Sequence, residues 1–142
     1  MGQYISQTDV LDVFGNANVT RWSNLDNDDT AINATRVTAA INYAEQVIDD
    51  RFRSTEYAVP LTHAASGELY VVKDWAAKLA GIWLYQCRGF DDRDLDEDPE
   101  AARLTAMKQA VHDEIGEYFA GQRELAATKT TASGASAPIV VL

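Results

Sequence analysis

Side chains that commonly carry out chemistry are few in this chain and far apart. His63 and His112 are its two histidines and Cys87 is its one cysteine. None of the three has a second histidine or cysteine at metal-ligand spacing. The sequence also contains no nucleophile elbow and no phosphate-binding glycine loop. We therefore predict no catalytic residue, no metal ligand and no cofactor, and we interpret Cys87 as a small buried side chain.

A dense acidic segment resembles a calcium-binding loop at first sight. Asp92, Asp94 and Asp96 occupy the first, third and fifth positions of an EF-hand pattern. The sixth position is Glu97, where the sharp turn needs glycine, and the twelfth is Arg103, where a bidentate glutamate is needed. We interpret the segment as a solvated, self-repelling loop. Its acidic residues are Asp91, Asp92, Asp94, Asp96, Glu97 and Asp98.

A second group of carboxylates raises the hypothesis of an enzyme. Glu45, Asp49 and Asp50 lie within one predicted helix and could be parts of a site assembled from scattered carboxylates. Acidic residues on a helix usually form a solvated face. We therefore disfavour the enzyme interpretation.

Composition limits the classes of protein to which the chain can belong. Its 142 residues, of which 46% are hydrophobic, suit one domain with its own core. With 12 basic against 22 acidic residues the net charge is −10, which disfavours tight nucleic-acid binding. The start of the chain has no signal-peptide pattern, so the cytoplasm is the expected compartment. Lys73, Asp74 and Lys78 interrupt the most apolar stretch, so we expect no membrane span.

Helical periodicity predicts an all-α domain of four helices. Ser6 and Asp9 form a capping-box pattern, and Gly15 is a typical helix end. The Asn- and Asp-rich stretch that follows, 16–29, is predicted to be a loop. The predicted helices are about Thr8 to Phe14, Asn33 to Phe52, Leu69 to Arg88, and Pro99 through Leu125.

The third predicted helix is apolar on most of its circumference. Such a helix must be surrounded, either by its own domain or by a neighbouring subunit. Trp75 and Trp83 are eight positions apart, so they lie near one face after two turns. We favour burial in the core for both and retain a subunit interface as the alternative.

The remaining segments are an extended linker and a C-terminal arm. Pro60 favours an extended conformation at Val59. From Thr128 the residues are small and polar, so we predict a helical domain over 1–127 and a flexible arm over 128–142. The arm ends in an apolar, β-branched segment that could add a strand to a partner or fold back on its own domain. Its residues are Pro138, Ile139, Val140, Val141 and Leu142.

Several stretches resemble the Mu-type family of small phage proteins that is similar to siphophage head-tail adaptors. The stretches are Tyr4-Ile5-Ser6-Gln7-Thr8-Asp9-Val10-Leu11-Asp12-Val13-Phe14-Gly15, Ala44-Glu45-Gln46-Val47-Ile48-Asp49-Asp50-Arg51-Phe52, Tyr57-Ala58-Val59-Pro60-Leu61, Trp75-Ala76 and Leu84-Tyr85. The resemblance covers about 4–89. It implies a helical subunit that forms a ring of about a dozen copies between the portal and the stopper or tail, with DNA passing through the centre. It implies no catalytic residues and a location at the head-tail interface of the virion, after synthesis in the host cytoplasm.

The acidic charge of the chain agrees with this implied role. An acidic lumen formed by the 91–98 segment or by the acidic helix faces would let DNA slide without gripping its phosphates. The alternative is an acidic helical interaction module of the inhibitor or anti-toxin type, which would act as a monomer or dimer on a basic partner.

Overall fold

The computed structural model describes residues 2–24, 31–87 and 99–130, and within these ranges the chain forms five helices. The helices are α1 (Gln7–Phe14), α2 (Asn16–Ser23), α3 (Ala34–Phe52), α4 (Tyr70–Gln86) and α5 (Pro99–Phe119). The prediction of an all-α fold is confirmed.

The predicted ends of α1 and α3 follow from local residue chemistry. The Ser6 backbone N–H donates to the Asp9 carboxylate at 2.8 Å, which is one half of the capping box. Gly15 ends α1 with φ of +87°, a conformation that other residues rarely adopt. The Asn33 side chain accepts a hydrogen bond from Arg36 N at 3.2 Å and caps α3.

Helix α2 corrects the predicted loop and raises the described helix count from four to five. The backbone turn at Gly15 allows a second helix to start at once at Asn16. Val19 and Trp22 are fully buried on one face of α2, and the Trp22 ring packs edge-on against Phe14 and Tyr85. Burial of this face outweighs the weak helix propensity of the Asn-containing stretch.

Helix α4 lies at the centre of the fold and packs against the other four helices. Ten of its residues are buried. At Gly81 the α4 backbone comes so close to α1 that a Cβ atom would overlap the Phe14 ring. The chain itself therefore supplies most of the surroundings that this apolar helix requires.

Helix α5 ends earlier than predicted, and one residue at the end of α4 is exposed where burial was predicted. Gly121 has φ of +79° just beyond α5, so Leu125 is buried outside the helix rather than on its predicted face. Cys87 caps α4 and is exposed, not buried as we predicted, because it follows the last turn packed by the neighbouring helices.

The linker after α3 and the segment after α5 pair with each other. Tyr57 forms an antiparallel bridge with Lys129, and His63 forms one with Ala127. Thr128 donates to the Thr62 carbonyl at 2.7 Å and accepts from Ala58 N–H at 2.9 Å. Residues 128–130, which we assigned to the arm, are thus hydrogen-bonded to the linker. The rest of the predicted arm lies outside the described residues.

Candidate functional site

The two tryptophans of α4 have different environments. Trp75 has no exposed surface; its ring stacks on Phe52 with centroids 6.0 Å apart, and its Nε1 donates to Glu114 at 2.6 Å. Trp83 is only partly buried. Since the chain's own residues enclose Trp75, only Trp83 is placed where a partner could reach it.

Trp83 belongs to a surface cluster that we call the aromatic patch, formed by Arg36, Tyr43 and Trp83. The Tyr43 ring stacks on Trp83 with centroids 5.8 Å apart, and the Arg36 guanidinium carbon lies 5.0 Å from the Trp83 ring centroid. Tyr43 is 50% exposed, a large value for an aromatic side chain. Aromatic residues and arginine are enriched in protein interfaces, so the patch has the composition of a docking surface.

A shallow groove continues from the aromatic patch across α3, α4 and α5. Its walls are Val47, Leu79, Ile82, Gln86, Lys108 and His112. Arg51 donates a hydrogen bond to His112 Nδ1 at 2.7 Å when that nitrogen is unprotonated. Burial lowers the pKa of His112, and the nearby charges of Arg51 and Lys108 lower it further. His112 is therefore neutral at pH 7, and the groove wall there is an uncharged imidazole beside a guanidinium.

The carboxylates considered as an enzyme site have structural partners instead. Glu45 is only 4% exposed and accepts hydrogen bonds from the backbone N–H groups of Gln3, Tyr4 and Ile5 at 3.0, 2.7 and 3.0 Å. Asp49 accepts from the Tyr4 hydroxyl and, at 2.6 Å, from the Gln3 side chain. The expectation that Glu45 and Asp49 lie on a solvated polar face is wrong, because the N-terminal segment covers them.

Tyr4 connects this carboxylate pair to the linker. Its hydroxyl donates to Asp49 and accepts from Leu61 N–H at 2.8 Å. Burial raises the pKa of Tyr4 far above its ordinary range, and the Asp49 hydrogen bond adds to the shift. The phenol therefore stays protonated and fixes the N-terminal segment, α3 and the linker to one another. The third carboxylate, Asp50, lies outside this junction and pairs on the surface with Arg53 at 3.3 Å.

Sequence reasoning missed this junction, although one signal for it was present. Glu45 and Asp49 are one turn apart and directly follow the buried Ala44 and Ile48. Acidic residues that border an apolar stripe stand at the edge of the core, where a neighbouring segment can cover them. Their partners lie forty or more positions earlier, so the pattern could not identify those partners.

Other predicted site residues lie outside the described ranges. These are the acidic residues Asp91 to Asp98 and the apolar segment Pro138 to Leu142. Among the residues that the structure does describe, no group of three or more His, Cys, Asp or Glu side chains is arranged to hold a metal ion. In the same residues, no helix has both the length and the apolar character needed to cross a bilayer.

The described residues form a small all-helical fold that exposes an aromatic patch on its surface. The chain belongs to the family described as Bacteriophage Mu, Gp36, whose model matches residues 4–137. It is thus a bacteriophage structural or assembly protein. The match confirms the Mu-type resemblance and extends it past 89, through α5. No curated protein and no solved structure matches the chain.

Proposed function

We propose that this protein is a head-tail adaptor: a non-catalytic subunit that forms a ring between the portal and the stopper or tail of a bacteriophage. The observation that carries the proposal is the match of nearly the whole chain to a Mu-type phage family. In this proposal about a dozen copies close the ring, and DNA passes through the centre without sequence-specific contacts. The protein would be made in the bacterial cytoplasm and reside at the head-tail interface of the virion.

The exposed aromatic patch supports an assembly role. A closed ring requires a heterologous interface, in which each subunit presents two different surfaces. The Tyr43 and Trp83 rings stack on each other within one chain, and Tyr43 remains exposed. They can therefore form one of these two surfaces. The net charge of −10 supports passage of DNA, because an acidic channel wall has few cations to bind phosphates. Asp91 to Asp98 are our candidates for that wall.

The experiment removes the gene from the phage and follows the particles by electron microscopy. We expect DNA-filled heads and complete tails to accumulate separately, and we expect purified protein added to the lysate to restore joining. An inhibitor or anti-toxin would leave joining intact. Normal yields of joined particles without the protein would therefore rule out the adaptor function.

The C-terminal segment is a second, separable part of the proposal. We propose that Pro138 to Leu142 dock on the portal or on an adjacent copy, which would shelter their apolar surface. A variant that ends at Ala137 is expected to fold normally and to join heads to tails poorly. Replacement of the same five residues by a Gly-Ser sequence of equal length controls for chain length and should show the same defect. Full joining by both variants would exclude a role for the segment.

A further inference from the structure

The aromatic patch lies on the opposite side of the subunit from α1. On α4, Gly81 faces the Phe14 ring of α1, and Trp83 is two residues further, about 200° around the helix. On α3, Glu45 faces the N-terminal segment that leads into α1, and Tyr43 is two residues earlier, again about 200° away. Two helices therefore agree that the aromatic patch and α1 occupy opposite sides.

The outward side of α1 carries its own exposed apolar and acidic residues. We define the outer face of α1 by Asp12 and Val13. Phe14 is buried against α4, whereas Val13 is 37% exposed and Asp12 is exposed. A valine beside a carboxylate is a suitable counterpart for an aromatic ring beside a guanidinium, since apolar surface meets apolar surface and the charges are opposite.

Charge also favours a second copy as the partner of the aromatic patch. The chain carries 22 acidic against 12 basic residues, so another copy presents a mainly acidic surface. Arg36 supplies a cation over the Trp83 ring, and its Nε is buried with no hydrogen-bond partner among the described residues. A carboxylate from a partner could pair with the outer nitrogens of this guanidinium.

We propose that the aromatic patch of one subunit receives the outer face of α1 of a second copy. The inference rests on the proposed ring function and identifies the two surfaces that would form its subunit interface. Because the two surfaces are different and lie on opposite sides, repeated docking adds subunits head to tail and leaves one free surface on each terminal copy. If the rotation between successive subunits brings the last copy back to the first, the result is a closed ring.

Cysteine cross-linking of the full-length chain tests the pairing. In a Cys87→Ser background, one variant carries Val13→Cys and a second carries Ala39→Cys, an exposed site one turn before Tyr43 that leaves the aromatic patch intact. With a bismaleimide, each variant alone should stay monomeric, their mixture should give dimers, and the double variant should give a ladder of multimers. Tyr70→Cys, exposed but away from the patch, is the control partner for Val13→Cys.

Two cross-linking results would overturn the pairing. Dimers from Ala39→Cys alone would indicate a two-fold interface between two aromatic patches. Equal yields from the Tyr70→Cys control and from the Ala39→Cys partner would indicate random collision.

Charge reversal provides an independent measurement. Arg36→Glu and Asp12→Lys should each weaken association by about tenfold, as expected for a charge pair at an interface, and the combined variant should recover most of the loss. Additive losses in the combined variant would contradict direct pairing.

The particle assay separates this inference from the adaptor function. If Val13→Cys and Ala39→Cys do not cross-link to each other but still join heads to tails efficiently, the pairing is wrong and the adaptor function stands. Heads and tails that join without the protein would overturn the adaptor function, whereas a ladder formed by the purified chain would still support the pairing.

Discussion

The buried Glu45 carboxylate gives the sharpest test of how this fold is held together. It accepts three backbone N–H groups from the N-terminal segment, of which Oε1 accepts one and Oε2 accepts two. Replacement by alanine leaves these donors without an acceptor at the edge of the core. A buried donor that loses its partner costs about 1–3 kcal/mol.

An upper limit on the loss comes from undocking the N-terminal segment. If the segment detaches, its N–H groups are hydrated, but Ile5, now 2% exposed, enters water at a cost of about 2–3 kcal/mol. The Tyr4 contacts with Asp49 and Leu61 are lost as well. We therefore expect Glu45→Ala to reduce the free energy of unfolding by about 3–4 kcal/mol, a large fraction of the 5–15 kcal/mol typical of a domain.

Glu45→Gln separates the hydrogen bonds from the charge. The amide retains one oxygen, which can serve two of the N–H groups, and its NH₂ group faces the third donor. We expect a loss of about 2 kcal/mol, smaller than that of the alanine variant. Urea unfolding followed by circular dichroism measures both values.

The matched control is Asp50→Ala, five positions along the same helix. Asp50 is exposed and pairs with Arg53 on the surface, so its loss should cost less than about 0.5 kcal/mol. Amide hydrogen exchange at Gln3, Tyr4 and Ile5 should accelerate in Glu45→Ala and stay unchanged in Asp50→Ala. Equal stabilities of the two alanine variants, with unchanged exchange at the N-terminal amides, would refute the reasoning.

Three further predictions concern packing, pH and the surface. Gly81→Ala should lower stability by about 1–3 kcal/mol because its Cβ overlaps a buried aromatic ring; Gly116→Ala, with open space around it, should be neutral or stabilising, and equal urea midpoints would contradict this. The lowered pKa of His112 means that the folded state binds its proton less readily than the unfolded state, so stability should be retained above about pH 6.5 and fall as pH decreases through the folded-state value. His112→Gln should flatten that decline between pH 7.5 and pH 5.5, and a slope identical to that of the wild type would exclude this histidine. Tyr43→Ala should impair head-tail joining without loss of fold, whereas the more exposed Tyr70→Ala should not; equal effects would remove the aromatic patch from the interface.

Local chemistry made several elements predictable from the sequence. The Ser6–Asp9 capping box and the positive φ at Gly15 mark the two ends of α1, and both depend on contacts within one helical turn. The apolar periodicity of α3 and α4 likewise predicted which helices form the core. The same periodicity showed that α4 must be surrounded.

Tertiary packing decided the features that carry the functional argument. Trp75 and Trp83 share a helix and a residue type, yet one is enclosed by α3 and α5 while the other stacks under Tyr43 at the surface. Helix α2 exists because Trp22 finds a place between Phe14 and Tyr85, which its own Asn-rich sequence does not indicate.

Sequence alone thus predicted four of the five described helices, where several of them begin and end, and which faces require burial. Only the tertiary structure decided what buries them. From its helix alone, Glu45 is predicted to be a solvated acid. It is a buried hydrogen-bond acceptor because a segment some forty residues earlier folds over it. Capping and periodicity act over a few residues, whereas burial depends on which distant segments meet in space.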